Sequence, residues 1–280
     1  MEEFHLEYSI ENKYESPVRK ANFQLLVLPD STDQELLDLK ISCSCGIEPG
    51  STKNAFGFEM LTYYLGMPFT EFWFKLSARI QKNELNPFQV SPYSPDIEFN
   101  ILHSLDFLID HYLFLQATPL TKMPSQSANL FPAYSGDIHL FDFLVRLNNA
   151  IHLSLEYAPA TTDVNTSIEE IIDLKKGVCQ DYTHLFLSVC RQNKIPGRYV
   201  SGYLDQGAGF VGTSQLHAWA EAMIPGLGWI GFDSTNNLLV DHHYIKMAHG
   251  TDFNDCSPII GVLESAGMQK SFHSVTVTNQ

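Results

Sequence analysis

Residues 176–184 read Lys176-Gly177-Val178-Cys179-Gln180-Asp181-Tyr182-Thr183-His184, and the stretch they open decides the fold. Tyr182, Leu185, Phe186, Val189 and Cys190 recur at the i, i+3, i+4 spacing of a helix with one buried face. Cys179 stands at the N-terminal end of that stripe, shortly after Gly177. A thiol there feels the positive end of the helix macrodipole and the unpaired first-turn amides, which favour thiolate. Its own backbone N–H can also point at a developing oxyanion. Cys179 is therefore a candidate nucleophile.

Downstream, Ile195-Pro196-Gly197 breaks the helix and Arg198–Leu204 reads as a strand. Residues 205–214 hold Gly207, Gly209 and Gly212, a stretch expected to be mobile and to border a cleft. Gln215 to Ile224 alternates: Leu216, Ala218, Ala220, Ala222 and Ile224 on one face, His217, Trp219, Glu221 and Met223 on the other. Pro225-Gly226-Leu227-Gly228 makes a turn, and Trp229-Ile230-Gly231-Phe232-Asp233 returns as the partner strand. If Ile224 pairs with Trp229, Asp233 lies beside Ala220 and faces away from His217. If Ile224 pairs with Gly228, Asp233 sits opposite Trp219 and becomes a diagonal neighbour of His217, roughly 7–8 Å between backbones. The second register, or a bulge that achieves the same parity, is expected, because the carboxylate can then orient the imidazole.

Upstream the chain changes character. Residues 4 to 80 carry period-two strand candidates at Phe4–Ile10, Asn22–Leu28, Leu37–Cys45, Asn54–Leu65 and Phe69–Ile80, which predict a sandwich or small barrel. Three prolines between residues 87 and 95 read as a linker. A helix opening at Pro95-Asp96, a long helix over 136–155 and a Ser167/Glu170 capping box follow. The expected fold is α+β: an antiparallel β domain over 1–88, then over 96–280 a core of helices packed on an antiparallel sheet, with a C-terminal extension.

Composition narrows the partners. Thirty-two acidic residues against 17 basic ones give a formal charge of −15, so a phosphate backbone or anionic membrane would be repelled. No apolar run approaches the ~18–20 residues that span a bilayer. Met1-Glu2-Glu3-Phe4-His5 carries acids where a secretory leader has basic residues, which reads as a cytoplasmic chain. Five cysteines, an odd number in a chain of 280 residues, fit a reducing compartment better than a disulfide framework. Cys43 and Cys45 have poor zinc spacing, and Asp241-His242-His243 reads as a polar loop at a strand end, so no metal or cofactor is expected. Cys190 is read as core, His184 as packed, Asp181 as a helix cap and Trp219 as packing beside the cleft.

Four blocks carry a resemblance to a known family. Gly177 to Tyr182, Ile195 to Tyr203, His217-Ala218-Trp219-Ala220-Glu221 and Gly228 to Asn236 together resemble the microbial transglutaminase-like family of the papain-related superfamily. Asn54-Ala55-Phe56-Gly57 resembles the strand–turn signature of the small β domain that often precedes that core, and Asp252 to Pro258 with Gly261-Val262 resembles its tail. The resemblance implies Cys179 as nucleophile, His217 as general base and acid, and Asp233 as orienter. It also implies acyl transfer from a peptide or protein amide through a thioester. Hydrolysis is the favoured outcome, with protein-glutamine cross-linking or a silent peptide-binding module as alternatives. Ser234 stands where many members have proline. The second oxyanion donor does not transfer, since residues 127–178 hold neither Trp nor Gln; a Tyr or Asn side chain or a water is left to fill it.

Overall fold

In the computed structural model, residues 1–88, 90–205, 210–211 and 215–279 are described. The glycine-rich stretch expected to border a cleft falls largely outside them. Six strands come first: β1 (Glu2–Val18), β2 (Lys20–Leu25), β3 (Glu35–Cys43), β4 (Gly50–Lys53), β5 (Glu59–Leu65) and β6 (Phe69–Lys82). Their alternating apolar residues face one another across two sheets, with Phe4, Leu6, Tyr8, Phe23, Tyr63, Phe72 and Phe74 in a shared core. The strand foreseen over 54–65 is split: Asn54 Oδ1 accepts the Phe56 and Phe58 amides at 3.0 Å each, closing the β4–β5 hairpin turn at Gly57, whose φ is +88°.

After the linker come α1 (Pro95–Leu102), α2 (Leu105–Asp110), α3 (Tyr112–Leu115) and α4 (Leu140–Ser154). The last begins four residues later than the sequence pattern suggested. Gly136 lies in the left-handed region (φ +81°), and the buried Glu98 carboxylate accepts the Leu140 amide at 2.8 Å. Then β7 (Glu156–Tyr157), α5 (Ile168–Leu174), β8 (Lys176–Gly177) and α6 (Cys179–Gln192) lead into β9 (Gly197–Leu204), β10 (His217–Ile224), β11 (Gly228–Asp233), β12 (Leu238–Leu239) and β13 (Tyr244–Gly250). The capping box forms as read, with the Glu170 carboxylate accepting the Ser167 amide at 2.8 Å.

The five strands β9–β13 form one antiparallel sheet in the order β12-β11-β10-β9-β13. Helices α4, α5 and α6 cover one face through Leu144, Ile171, Leu185 and Phe186, packed on Ala218, Ala220, Ala222 and Phe232. Alanines on the strand let the helix axis come close. Tyr203, Ile245 and Met247, from β9 and β13, pack instead into the sandwich core. The fold is thus α+β as read.

The end of the chain returns to its beginning. Strand β14 (Ile259–Glu264) pairs with β2, and β15 (Gln269–Asn279) runs antiparallel to β1 from Phe4↔Asn279 to Tyr14↔Gln269. Each N-terminal sheet therefore has four strands, one of them supplied by the C-terminal extension. No described helix is long and apolar enough to cross a membrane.

Candidate active site

Cys179 is the first residue of α6, partly exposed, with Val178 extended before it (φ −115°, ψ 179°). The turn that delivers it is held by Asp181. Its Oδ2 accepts the Val178 amide and the Thr162 hydroxyl, both at 2.7 Å. That carboxylate needs Gly177: a Cβ there would stand 2.6 Å from Asp181 Cβ and 2.7 Å from Oδ2. Asp181 is thus the helix cap the sequence suggested. The Cys179 amide, at the start of α6, has no carbonyl one turn back to bind, whereas the Asp181 amide donates to the Val178 carbonyl at 2.8 Å.

The register question resolves as expected. Ile224 pairs with Gly228 and Ala220 with Phe232, which puts Asp233 one step on, opposite Trp219, on the face that carries His217. His217 Nε2 meets Asp233 Oδ2 at 2.7 Å, and both side chains are fully buried. Gly202 is the residue paired with His217 on β9. A Cβ on it would meet the Ile245 carbonyl oxygen at 2.2 Å and the Trp219 ring at 2.6 Å. The close approach of Trp219 over Gly202 fixes the wall beside the imidazole.

Asp233 accepts five hydrogen bonds. Thr235 N–H (3.0 Å) and Asn236 N–H (3.2 Å) donate to Oδ1, while His217 Nε2 (2.7 Å), Asn236 Nδ2 (2.8 Å) and Tyr244 OH (2.8 Å) donate to Oδ2. Burial pushes its pKa up, but the His217 charge and the donations from His217, Asn236 and Tyr244 outweigh it and leave the carboxyl below its ordinary range. Burial in turn pulls His217 down, and the Asp233 charge and hydrogen bond, with a smaller contribution from Cys179, push it above its ordinary value. With Nε2 committed to Asp233, Nδ1 is the ring nitrogen left for the Cys179 sulfur; no nitrogen or oxygen among the described residues takes it. Of the three residues singled out from sequence, His217 and Asp233 are hydrogen-bonded, and Cys179 lies near enough to His217 to help raise its pKa.

Other readings find their places. His184 is fully buried, accepts the Phe253 amide at 3.2 Å, and is pulled down to about 3, first by burial and then by the Arg191 charge. It is a neutral packing residue. Cys190 and Cys256 are buried, which pushes their thiols well up. Trp219 is buried, its ring 6.3 Å from that of His217. Glu2, His242 and His243 present ligand-type atoms within 4.8 Å of one another, with His242 Nε2 3.3 Å from Glu2 and His243 Nδ1 3.1 Å from Asp241. They join β1 to the entry of β13.

Several residues in the site escaped the sequence reading. Tyr244 and Asn236 bind the Asp233 carboxylate from eleven and three residues away. Asn148 on α4 accepts the Ser234 hydroxyl at 2.7 Å, and His152 Nδ1 lies 3.1 Å from the Ser234 and Thr235 carbonyl oxygens, so α4 anchors the turn after Asp233. Ser234 thus makes a bond that a proline in its place could not. Thr235-Asn236 following an Asp at a strand end is the signature of an Asx-type turn, and could have flagged the two backbone donors. Nothing local flags Tyr244.

A central helix headed by a cysteine, packed on an antiparallel sheet that carries a hydrogen-bonded His–Asp pair, defines a papain-like, transglutaminase-type core. Residues 133–234 match the core of the transglutaminase-like superfamily, a span that includes Cys179, His217 and Asp233. It is similar to an uncharacterized protein of Mycobacterium leprae, 28% identical over 259 residues that cover 91% of this chain and 90% of that one. It is also similar to an uncharacterized Mycobacterium tuberculosis protein, 33% identical over 141 residues, 47% of this chain and 45% of that one. Its fold is that of a proposed cysteine protease of Cytophaga hutchinsonii, with a TM-score of 0.76 and 22% identity over 99% of this chain and 90% of that one.

Proposed function

We propose that the protein is a cysteine-dependent acyl-transfer enzyme that cleaves amide bonds in peptides or proteins. The observation that carries this is the 2.7 Å bond between His217 Nε2 and Asp233 Oδ2, which leaves Nδ1 for the thiol at the head of α6. Cys179 Sγ attacks the carbonyl carbon, and the oxyanion meets the Cys179 amide. His217 hands its Nδ1 proton to the leaving amine, and Asp233 holds the ring and its charge throughout. The thioester then passes its acyl group to water, which His217 activates by taking the proton back. Hydrolysis rather than cross-linking is the proposed outcome.

Limiting iodoacetamide followed by intact-mass analysis tests the nucleophile. One adduct, at Cys179, is expected before Cys190 or Cys256 react, with loss in Cys179→Ala and slower labelling in His217→Ala. Equal labelling of several cysteines, indifferent to His217, would overturn the assignment. Incubating a glutamine-bearing peptide with a labelled primary amine then separates the outcomes: released ammonia with no bound label supports hydrolysis, and covalent label refutes it.

A further inference from the structure

Addition of Cys179 Sγ to a carbonyl moves the π pair onto oxygen, and that oxygen needs donors on the open side of the site. The Cys179 amide supplies one. Polar side chains near it in the chain are already committed: Thr162 donates to Asp181 at 2.7 Å and Gln180 Nε2 to the Val164 carbonyl at 3.2 Å.

Two phenols lie close enough to Cys179 for its charge to act on them, Tyr157 and Tyr199. Tyr199 is 2% exposed, in the core between α6 and the sheet, with the His184 ring centroid at 5.2 Å and that of Phe253 at 6.3 Å. It is walled off from any substrate. Tyr157 is half-buried and packs against the same cluster as Cys179. It ends β7, which runs parallel to β8 with Tyr157 level with Gly177, two residues before the nucleophile. Glu156 N–H to Lys175 O and Ala158 N–H to Gly177 O, both 2.9 Å, pin the backbone on either side of it. Its hydroxyl makes no hydrogen bond to a described residue. This short parallel pair holds Tyr157 level with Gly177, two residues before the start of α6.

Granting the acyl transfer above, we propose that the Tyr157 hydroxyl is the second oxyanion donor. In the addition step the S–C bond forms, the carbonyl pair moves to oxygen, and Cys179 N–H and Tyr157 O–H donate to it without losing their protons. Collapse re-forms the carbonyl, breaks the C–N bond and releases the amine with the His217 proton. Burial, and then the Cys179 charge, raise the Tyr157 pKa, so the phenol keeps its proton at neutral pH.

Two reagents distinguish this role from help given to the thiol. Iodoacetamide alkylates Cys179 by displacing iodide and forms no oxyanion, whereas p-nitrophenyl acetate acylates it through one. In Tyr157→Phe, alkylation of Cys179 should stay within about twofold of wild type while acylation falls by about 10²-fold, near the low end for a lost oxyanion donor. The alkylation rate doubles as the check that the variant is folded. Acylation within threefold of wild type would overturn the proposal. So would an equal fall in both rates, which would make Tyr157 a support of the thiol instead. Wild-type protein that gives neither selective alkylation nor acylation would sink the nucleophile reading itself, and this inference with it.

Discussion

Asp233→Asn should be far more damaging than its size suggests, and the five donors around the carboxylate say by how much. An amide has one acceptor oxygen. Turned toward His217, Asn236 Nδ2 and Tyr244, it would place its NH₂ against the Thr235 and Asn236 amides that now donate at 3.0 and 3.2 Å. Turned the other way, it would face three donors. The first choice is the cheaper, and it strands two N–H groups at a fully buried position. At about 1–3 kcal/mol for each unsatisfied buried donor, the loss is about 2–6 kcal/mol, a large part of the ~5–15 kcal/mol that holds a typical domain. The charge is lost as well. Without it, burial dominates at His217 and pulls the imidazole below its ordinary value, so the ring should be neutral at pH 7 in the variant and charged in wild type. Urea denaturation at pH 7 reads the first effect as a lowered midpoint with unchanged slope. Carbon-detected NMR of the His217 ring reads the second, and acylation of Cys179 should fall by roughly 10²–10⁴. A variant within about 1 kcal/mol of wild type, with His217 still charged at pH 7, would refute this account of the site.

Other perturbations test the supporting groups. Tyr244→Phe keeps the ring and removes one donor to Asp233 Oδ2; urea melts should show a loss of about 1.5–3 kcal/mol, the range for a hydrogen bond to a charged group. Gly202→Ala forces a methyl to within 2.2 Å of the Ile245 carbonyl and 2.6 Å of Trp219, so it should cost about 1–3 kcal/mol in urea melts and slow Cys179 alkylation by displacing His217. Burial pushes Glu221 up, but Lys246 and then Arg198 pull it down to about 2 from 4.5. Its folded value lies below its unfolded one, so it contributes about 3 kcal/mol that is fully present above pH ~4.5 and fades as the pH falls toward 2. Melts between pH 7 and 2.5 should show that acid limb in wild type and a flatter one in Glu221→Gln, which should itself be weaker by about 3–5 kcal/mol at pH 7, where Lys246 and Arg198 are left uncompensated.

The core of the site was legible because its determinants are local. Glycine at 177, an apolar stripe after 179, alternation over 216–224 and a turn signal at Pro225-Gly226 place the thiol, the imidazole and the carboxylate, and register parity does the rest. Period-two patterning likewise gave the N-terminal strands. What stayed hidden depends on distant pairings: Tyr244 reaches Asp233 only once β13 lies beside β9, and Asn148 meets Ser234 only when α4 docks on β11. The two-residue pair β7–β8 has no periodicity to detect. Strands β14 and β15 read as a tail because nothing near them names partners more than two hundred residues away.

That closing of the chain on its own beginning has a consequence for synthesis. Strands β1 and β2 each present an unpaired edge until residues 259–279 arrive, with the whole catalytic core still to be made in between. At about 5–20 residues per second, roughly 10–40 s separate the emergence of β6 from that of β15. For that interval the nascent chain carries two open sheet edges, the kind of surface on which strands of neighbouring chains add. A chaperone bound to the early product, or rapid docking of the sandwich on β9 and β13, would decide how much of it survives to close.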